Sequence, residues 1–362
     1  MDARYMALAL TLGRRGLGRT WPNPAVGAVI VKDGVIVGRG WTQSGGRPHA
    51  EVEALRRAAE AARGATLYVT LEPCSHYGKS PPCADAVIAA GIARVVSALE
   101  DPNPEVAGFG HARLRAAGVA VDVGLGAEEA RRDHAGHIRR MRDRRPHVLL
   151  KLAASADGKA GAAGRKPVAI TGERVRDRVH LLRAQSDAIM VGSGTALADD
   201  PILTCRLPGM AGYSPVRVVL DGALRLPLDS RLVRSAREVP LWVIAGAEAP
   251  AAAKEMLEAA GVTVLAVPRA DGRLDLAAIL RLLAERGISR LMVEAGPILA
   301  AALLDADLVD EAALFRSAKV VGPDGIDALE GMPLTALTRS PRFANVGSEV
   351  IGEDSCEIFE RR

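Results

Sequence analysis

The sequence predicts an α/β protein with two domains, residues 1–144 and 145–362. Its 362 residues are too many for one ordinary core, and 49% of them are hydrophobic, which is enough to bury two. Short β-rich runs alternate with Ala-rich helical stretches in both halves. The alternation stops at an Arg-dense stretch, residues 131–146, and restarts after Pro146. We interpret this stretch as the end of a charged helix and a linker, with a phosphate-binding basic patch as the alternative.

In the first half, periodicity and turn signals predict the elements in order. An amphipathic helix over residues 5–12 ends near Gly13. Two β-rich runs, 25–31 and 35–40, flank Lys32-Asp33-Gly34, and Asp-Gly is typical of a tight hairpin. The remaining elements are a helix at 50–63, a strand at 66–71, a helix at 84–90 and a strand at 94–98.

In the second half, strands and helices again alternate. Strands are predicted at 147–153, 188–191, 216–220, 241–245, 262–267 and 290–294, and helices at 174–184, 250–260, 276–286 and 298–306. Pro250 suits the first turn of its helix, where its missing N–H leaves no partner unsatisfied. Residues 308–321 and 345–359 are predicted to be closing strands.

Composition excludes some classes of function. A formal charge of only +4 and an aromatic content of 3% argue against a nucleic-acid partner. The apolar run at 5–12 is too short to span a membrane, and no cleavage site follows it, so we expect a cytoplasmic protein with no membrane partner. A chain of this size needs no disulfides, so clustered cysteines are first considered as metal ligands. Cys205 and Cys356 are interpreted as ordinary core or strand cysteines.

The strongest local signal is His49-Ala50-Glu51, followed by Pro73-Cys74 and Cys83. A catalytic zinc ion needs three protein ligands and one open position for water, and His49, Cys74 and Cys83 supply suitable donors. Glu51, at the start of a predicted helix, is placed to move protons without binding the metal. The pattern resembles the zinc nucleobase deaminase signature H-x-E then P-C-x-x-C, except that eight residues separate the cysteines. The alternative is a coincidental motif with two unrelated buried cysteines.

Polar residues near this motif are candidates for substrate contacts. Asn23 precedes the first strand, and its amide could donate to and accept from the edge of a heterocycle; a plain Asn-Pro turn is the alternative. His76 and Lys79 lie in the long loop between the cysteines. They could contact a polar or phosphorylated substrate or belong to a solvated loop.

These residues resemble a known family. Residues 22–27 (PNPAVG), 49–51 (HAE) and 72–83 (EPCSHYGKSPPC) look like the deaminase half of the bifunctional riboflavin-biosynthesis deaminase/reductases. The long cysteine loop ending in Pro-Pro-Cys is characteristic of that family. The resemblance implies a cytidine-deaminase-like α/β/α domain, Zn²⁺ held by His49, Cys74 and Cys83, and Glu51 as the catalytic residue.

The second half resembles the reductase domain of the same family, which has a dihydrofolate-reductase-like α/β fold. The matching stretches are residues 151–158, 182–189, 194–201 and 293–297. The resemblance implies NADPH as cofactor, bound by Ala153, Ala169, Thr195, Asp199, Gly296, Pro297, Ile298, Leu299, Ala300, Ala301 and Ala302. It implies substrate contacts from Lys151, Pro167, Arg183, Leu203, Arg206 and Glu294.

The residues themselves support a weaker interpretation of this half. The Gly296-Pro297 turn precedes an Ala/Leu-rich helix whose first N–H groups could hold a phosphate, and a purely structural turn is the alternative. Arg183 and Arg206 could clamp a 5-phosphate through paired donors or form surface ion pairs. Lys151, a charge within a predicted strand, could donate a proton or contact the substrate near the hydride acceptor. Its alternative is an edge residue facing water.

The resemblance implies two successive reactions on a phosphorylated small molecule. The first is hydrolytic deamination of 2,5-diamino-6-(5-phosphoribosylamino)pyrimidin-4(3H)-one. The second is NADPH-dependent reduction of the ribosyl group of 5-amino-6-(5-phosphoribosylamino)uracil to ribityl, in an enzyme expected to be a homo-oligomer. In this family an aromatic residue often stands where this chain has Ala169, and a polar one where it has Pro167, a departure that bears on the reductase.

Two other hypotheses compete with a bifunctional enzyme. A nucleic-acid deaminase predicts a basic, aromatic second half, which the composition does not provide. A structural zinc module predicts a closed site with four ligands, whereas the sequence offers His49, Cys74 and Cys83.

Overall fold

The computed structural model describes residues 1–77, 81–165 and 168–362. It divides into two compact units. The first comprises Met1–Arg145 and Ala284–Ser289, and the second comprises Pro146–Leu283 and Arg290–Arg362. Within the described ranges, no helix has both the length and the apolar character that crossing a bilayer requires.

The first unit contains a five-stranded sheet with the order β2-β1-β3-β4-β5. Its strands are β1 (Gly27–Lys32), β2 (Val35–Trp41), β3 (Thr66–Val69), β4 (Arg94–Ser97) and β5 (Ala120–Val123). Strand β1 is antiparallel to β2 and β3, whereas β3, β4 and β5 run parallel. The carboxyl ends of β3 and β4 therefore meet at one edge of the sheet, where α/β proteins commonly bind ligands.

Helices of the first unit pack against this sheet around a core rich in Val, Ile, Leu and Ala. They are α1 (Asp2–Gly13), α2 (Ala50–Ala58), α3 (Cys83–Ala89), α4 (Phe109–Ala116), α5 (Ala127–Asp133) and α6 (Ala135–Asp143). The predicted helix 50–63 ends earlier, because Ala59 has a φ of 46° and a 3-10 turn follows. The Arg-dense stretch 131–146 contains the end of α5 and all of α6 rather than one helix.

The second unit contains a nine-stranded sheet with the order β11-β10-β9-β8-β14-β6-β15-β18-β17. Its strands are β6 (His147–Ala154), β8 (Ala188–Gly192), β9 (Val216–Leu220), β10 (Leu241–Gly246), β11 (Thr263–Val267), β14 (Arg290–Val293), β15 (Glu311–Arg316), β17 (Phe343–Ile351) and β18 (Asp354–Arg361). The seven strands from β11 to β15 are parallel, and β18 and β17 are antiparallel. Two short ribbons complete the strands, namely β7 (Lys159–Gly161) with β16 (Ile326–Asp327) and β12 (Arg269–Ala270) with β13 (Arg273–Leu274).

Helices connect the parallel strands of the second unit. They are α7 (Glu173–Ala184), α8 (Ser193–Asp199), α9 (Arg231–Arg234), α10 (Ala251–Ala259), α11 (Leu276–Glu285), α12 (Pro297–Asp305) and α13 (Thr335–Thr338). The segment 345–359, predicted to be a closing strand, belongs to two strands. Gly352, with a φ of 68°, lies in the turn between β17 and β18 and allows the reversal. Both units are thus α/β, as predicted.

Candidate active sites

The three predicted zinc ligands come from separate elements of the first unit. His49 is the N-cap of α2, Cys74 follows β3, and Cys83 is the first residue of α3. Their donor atoms all lie within 4.8 Å of one another. The Nδ1 atom of His49 lies 3.3 Å from the Cys83 sulfur and 3.7 Å from the Cys74 sulfur. The fold therefore brings together residues that are 34 positions apart.

The chemistry of this group fits zinc. A hydrogen bond from Cys83, together with the nearby His49, lowers the pKa of the Cys74 thiol to about 4. The same hydrogen bond and burial raise the pKa of the Cys83 thiol. Among the described residues, this group contains three donor side chains, which matches a catalytic zinc site rather than a closed structural one.

Glu51 lies in the first turn of α2 and is only 4% exposed. Burial raises the pKa of its carboxyl group to about 7, although the nearby His49 opposes the shift. Because a proton-transfer group works best with a pKa near the working pH, this carboxyl group is suited to accept and return a proton.

A cavity of about 150 Å³ adjoins the donor group and is lined by His49, Glu51 and Cys74. Asn23 also lines it, with its Nδ2 atom 3.4 Å from His49 Nε2 and donating to the Gly46 carbonyl at 2.8 Å. His76 lies in the cavity wall, and its buried Nδ1 has no hydrogen-bond partner among the described residues. The predicted contact from Lys79 falls on residues 78–80, outside the described ranges.

The polar residues of this cavity that were not predicted from the sequence include Asp101, Asn103 and His137. His137 Nε2 lies 2.8 Å from an Asp101 carboxylate oxygen, and that oxygen also accepts the Asn103 N–H at 2.9 Å. Asp101 and Asn103 follow β4, whose carboxyl end lies beside that of β3, which leads to Cys74. The sequence signal that could have found Asp101 and Asn103 is therefore the run of polar residues after β4, the parallel neighbour of β3.

The cavity wall is held in place by Glu72. Its buried carboxylate accepts backbone N–H groups from Asp101 at 3.1 Å, Gly108 at 3.0 Å and His111 at 3.0 Å. Glu72, Glu100 and His111 also form a group of close donor atoms. Since both Glu72 oxygens already accept backbone hydrogen bonds, we interpret this group as structural.

A larger cavity, about 1140 Å³, lies in the second unit. Of the residues predicted for cofactor or substrate, most line it: Lys151, Ala153, Ala169, Arg183, Thr195, Asp199, Arg206, Glu294, Gly296, Pro297, Ile298, Leu299 and Ala302. Its lining includes residues at the carboxyl ends of parallel strands, where nucleotides commonly bind in open α/β sheets. Its size fits a ligand as large as a dinucleotide.

Three predicted residues do not line this cavity, and one cannot be located. Leu203 is 3% exposed and packs in the hydrophobic core with a φ of 59°. Ala300 and Ala301 are buried on the inner face of α12. Contacts from these three residues stay predictions, and Pro167 falls outside the described ranges.

Lys151 lies near an internal ion pair. Strand β6 is paired on both sides, with β14 and β15, so Lys151 is not a residue of a sheet edge. Burial lowers the pKa of its amine, although the Glu294 carboxylate opposes the shift. Burial also disfavours the charged form of Glu294, but Arg183 and Lys151 outweigh it, so the pKa of Glu294 is lowered. The cavity is therefore lined by both the Glu294 carboxylate and an amine whose pKa is lowered.

Arg183 is an internal rather than a surface ion-pair partner. Its guanidinium donates to the two Glu294 oxygens at 2.6 and 2.9 Å and to the Thr204 carbonyl at 3.0 Å. These bonds use three of its five N–H donors and leave two for a ligand. The structure therefore supports a role for Arg183 in fixing Glu294, in addition to any contact that Arg183 makes with a phosphate.

Arg206 lies in a region of positive charge. Burial, followed by repulsion from Arg183, Arg231 and Arg176, lowers the pKa of its guanidinium. Arg176 also lines the cavity and was not predicted. It precedes Arg183 by seven positions on α7, a spacing that places both on one helix face and that the sequence does contain. Clustered guanidinium groups at a cavity wall are suited to bind a phosphate.

The predicted phosphate-binding turn lies at the start of α12, where Gly296 is the N-cap and Pro297 the first helical residue. A Cβ atom on Gly296 would lie 3.1 Å from the Thr195 hydroxyl oxygen, so a side chain there would crowd this wall. The first backbone N–H groups of a helix lack internal partners and favour anions. The turn and the cavity together fit a dinucleotide phosphate.

Comparisons with known proteins agree along the whole chain. The family described as the cytidine and deoxycytidylate deaminase zinc-binding region matches residues 1–99, and the RibD C-terminal domain family matches residues 146–356. The riboflavin biosynthesis protein RibD of Escherichia coli is 45% identical, with 98% of each chain covered.

Solved structures give the same result. RibD of Acinetobacter baumannii, form 1, is similar with a TM-score of 0.89 and 34% identity, over 100% of this chain and 99% of that one. A diaminohydroxyphosphoribosylaminopyrimidine deaminase/5-amino-6-(5-phosphoribosylamino)uracil reductase of Thermotoga maritima is similar with a TM-score of 0.86 and 35% identity, over the same shares.

Proposed function

Since the chain belongs to the RibD family of bifunctional deaminase/reductases of riboflavin biosynthesis, we propose how its residues divide between the two reactions. Residues 1–144 form the zinc-dependent deaminase domain, and residues 145–362 form the NADPH-dependent reductase domain. The proposal rests mainly on one observation, that His49, Cys74 and Cys83 lie close together beside the buried Glu51.

In the first reaction, His49, Cys74 and Cys83 hold zinc. When bound, zinc lowers the pKa of coordinated water from about 15.7 to near 7, so that a nucleophile is available at neutral pH. Glu51 would take one proton from the attacking water and pass it to the ring nitrogen of the diaminopyrimidine. It would then take the second proton, from the hydroxyl group now bonded to the ring carbon, and pass it to the amino group, which leaves as ammonia while the carbonyl forms. Asn23 orients the heterocycle through its amide, since its Nδ2 lies against the zinc-ligand imidazole.

In the second reaction, NADPH supplies the hydride that reduces the ribosyl group to ribityl. The N–H groups that follow Gly296 bind the dinucleotide phosphate, with Thr195 on the adjoining wall. Arg206 and Arg176 bind the substrate phosphate, and Arg183 fixes Glu294. Lys151 donates a proton to the substrate as it is reduced, and the Glu294 carboxylate favours the charged form of the amine.

One assay mixture tests both reactions. The diaminopyrimidine substrate is incubated with and without NADPH, while ammonia and the nicotinamide absorbance are followed. We expect ammonia in both mixtures and NADPH oxidation only after deamination. Ammonia release without subsequent NADPH oxidation would contradict the reductase assignment, and its absence in zinc-loaded protein would contradict the deaminase assignment.

A Cys83→Ser substitution is expected to remove zinc. A serine hydroxyl stays protonated at neutral pH and is a poor zinc donor, so affinity should fall by more than the roughly 10- to 100-fold that outer-shell changes cause. Zinc per chain, measured by mass spectrometry after dialysis, provides the readout. Cys356→Ser, at a buried site of the second unit, is the matched control and should keep its zinc. Equal zinc in both variants would contradict the ligand set.

We further propose a cytoplasmic homo-oligomer that acts on small phosphorylated pyrimidines. Sedimentation of the purified chain and fractionation of the cells that express it test these two points. A monomer at assay concentration, or recovery outside the cytoplasmic fraction, would contradict them.

A further inference from the structure

Two groups of arginines line the cavity of the second unit, and the proposed reactions use only one. The first group is Arg176, Arg183 and Arg206. Arg183 donates to Glu294, and the charge of Arg206 interacts with those of Arg183, Arg176 and Glu294. The second group, Arg269 and Arg273, lies on the β12–β13 hairpin. The hairpin arginines therefore require a separate explanation.

Strand order separates the hairpin from Lys151. Strand β9 is three positions from β6 in the sheet, and β11 is five positions away. At about 4.8 Å per strand, these separations are roughly 14 and 24 Å. Gly222 follows β9, and Arg269 follows β11, so the cavity wall that these residues form lies far from the Lys151 amine.

The same order sets the direction of a bound dinucleotide. Lys151 on β6, Gly296 after β14, Ser193 after β8 and Gly222 after β9 line the cavity in sequence across the parallel strands. With the nicotinamide near Lys151 and the phosphates near Gly296, the adenosine end must extend toward Gly222 and the hairpin. NADPH differs from NADH by one phosphate at this end.

Arg269 fixes the hairpin to the end of β9. Its guanidinium donates to the Glu248 carboxylate, to the Gly272 carbonyl at 2.9 Å and to the Gly222 carbonyl at 3.2 Å. A Cβ atom on Gly222 would lie 2.9 Å from this guanidinium, so a side chain there would displace the tip of Arg269. Arg269 is thus a positioning residue whose charge is already paired with Glu248.

Arg273 differs from Arg269 in having an unpaired charge. It is exposed, lines the cavity, and pairs through its backbone with Ala270. Within the ranges that the structure describes, its guanidinium forms neither an ion pair nor a side-chain hydrogen bond. Asp275 lies near it on the same wall, but that carboxylate accepts the Ala278 N–H at 3.0 Å and caps α11. All five N–H donors of Arg273 are therefore available to an anion.

We infer that Arg273, presented by the hairpin that Arg269 anchors, binds the 2′-phosphate that distinguishes NADPH from NADH. The inference rests on the proposed NADPH-dependent reduction and names the residue that gives this cavity its preference for the phosphorylated cofactor. A guanidinium binds a phosphate through paired, charge-assisted hydrogen bonds. One arginine is therefore sufficient to discriminate NADPH from NADH.

Calorimetric titration with 2′,5′-ADP and with 5′-AMP tests the inference without turnover, since the two ligands differ only in the 2′-phosphate. In the full chain, Arg273→Ala is expected to weaken 2′,5′-ADP binding roughly 10- to 100-fold and to leave 5′-AMP binding unchanged. Arg273→Lys keeps the charge but loses paired donation, and should fall between the two. Arg234→Ala removes an exposed arginine of α9 outside the cavity lining and should behave as the unmodified chain.

Equal losses for both ligands, or no loss for either in Arg273→Ala, would overturn the inference. An unmodified chain that binds 5′-AMP as tightly as 2′,5′-ADP would overturn it as well. If the unmodified chain binds neither ligand and not NADPH, the cofactor of the proposed function fails, and the inference fails with it. Failure of the inference alone would leave NADPH binding and turnover intact.

Discussion

Glu51→Gln is expected to slow ammonia release by about 100- to 10,000-fold, the range typical of losing a general acid/base. Glutamine has nearly the same shape and can occupy the pocket beside His49 and Cys83, but it cannot accept and return a proton. The carboxyl group that it replaces is buried, and burial holds its pKa at about 7. Initial rates of ammonia release at saturating diaminopyrimidine give the measurement.

Three controls make this result specific. Glu51→Gln should keep the zinc of the unmodified chain and should reduce the deaminated substrate at the same rate. Glu53→Gln is the matched variant, because Glu53 is also buried on α2 but pairs with Arg56 at 3.0 Å and does not line the cavity. It should retain ammonia release. Retained release in Glu51→Gln would refute the proton transfer, and loss of zinc there would make Glu51 a determinant of metal binding.

The zinc group could be predicted because each of its parts has a local signal. His-Ala-Glu at a helix start and Pro-Cys after a strand depend on short stretches whose geometry is set by the elements themselves. The Asp101–His137 pair has no such signal, because its members are 36 positions apart and meet only when the parallel strands and α6 assemble. The Arg183–Glu294 pair, 111 positions apart, was missed for the same reason.

The sequence did not predict the elements that are mostly exposed, because exposed residues need not follow a hydrophobic pattern. Strand β5 lies at the edge of its sheet with three of its four residues exposed, so its sequence lacks the alternation of a half-buried strand. Helix α4, which precedes it, buries little beyond Gly110, His111 and Leu114. The central strands β6, β8, β9, β10 and β14 were predicted correctly because burial on both faces selects apolar, β-branched runs.

Lys151→Met is expected to slow NADPH oxidation on the deaminated substrate by about 100-fold or more. Methionine keeps the length of the side chain but has no proton to give. Burial lowers the pKa of the Lys151 amine, so its acid form is lost as pH rises through a value below the usual 10.5. The reduction rate of the unmodified chain should therefore fall at alkaline pH, with a limb that Lys151→Met lacks. Stopped-flow absorbance of NADPH across pH measures both effects.

Positioning and proton donation predict different results for this variant. If Lys151 only contacts the substrate, Lys151→Met should raise KM with little change in kcat, and the alkaline limb should persist. Lys254→Met, on the exposed side of α10, is the matched control for the loss of one amine. This variant should reduce the deaminated substrate at the rate of the unmodified chain. Ammonia release should be unchanged in both variants, because the proposed deamination uses residues of the first unit alone. A persistent alkaline limb in Lys151→Met would assign the titration to another group and leave Lys151 as a substrate contact.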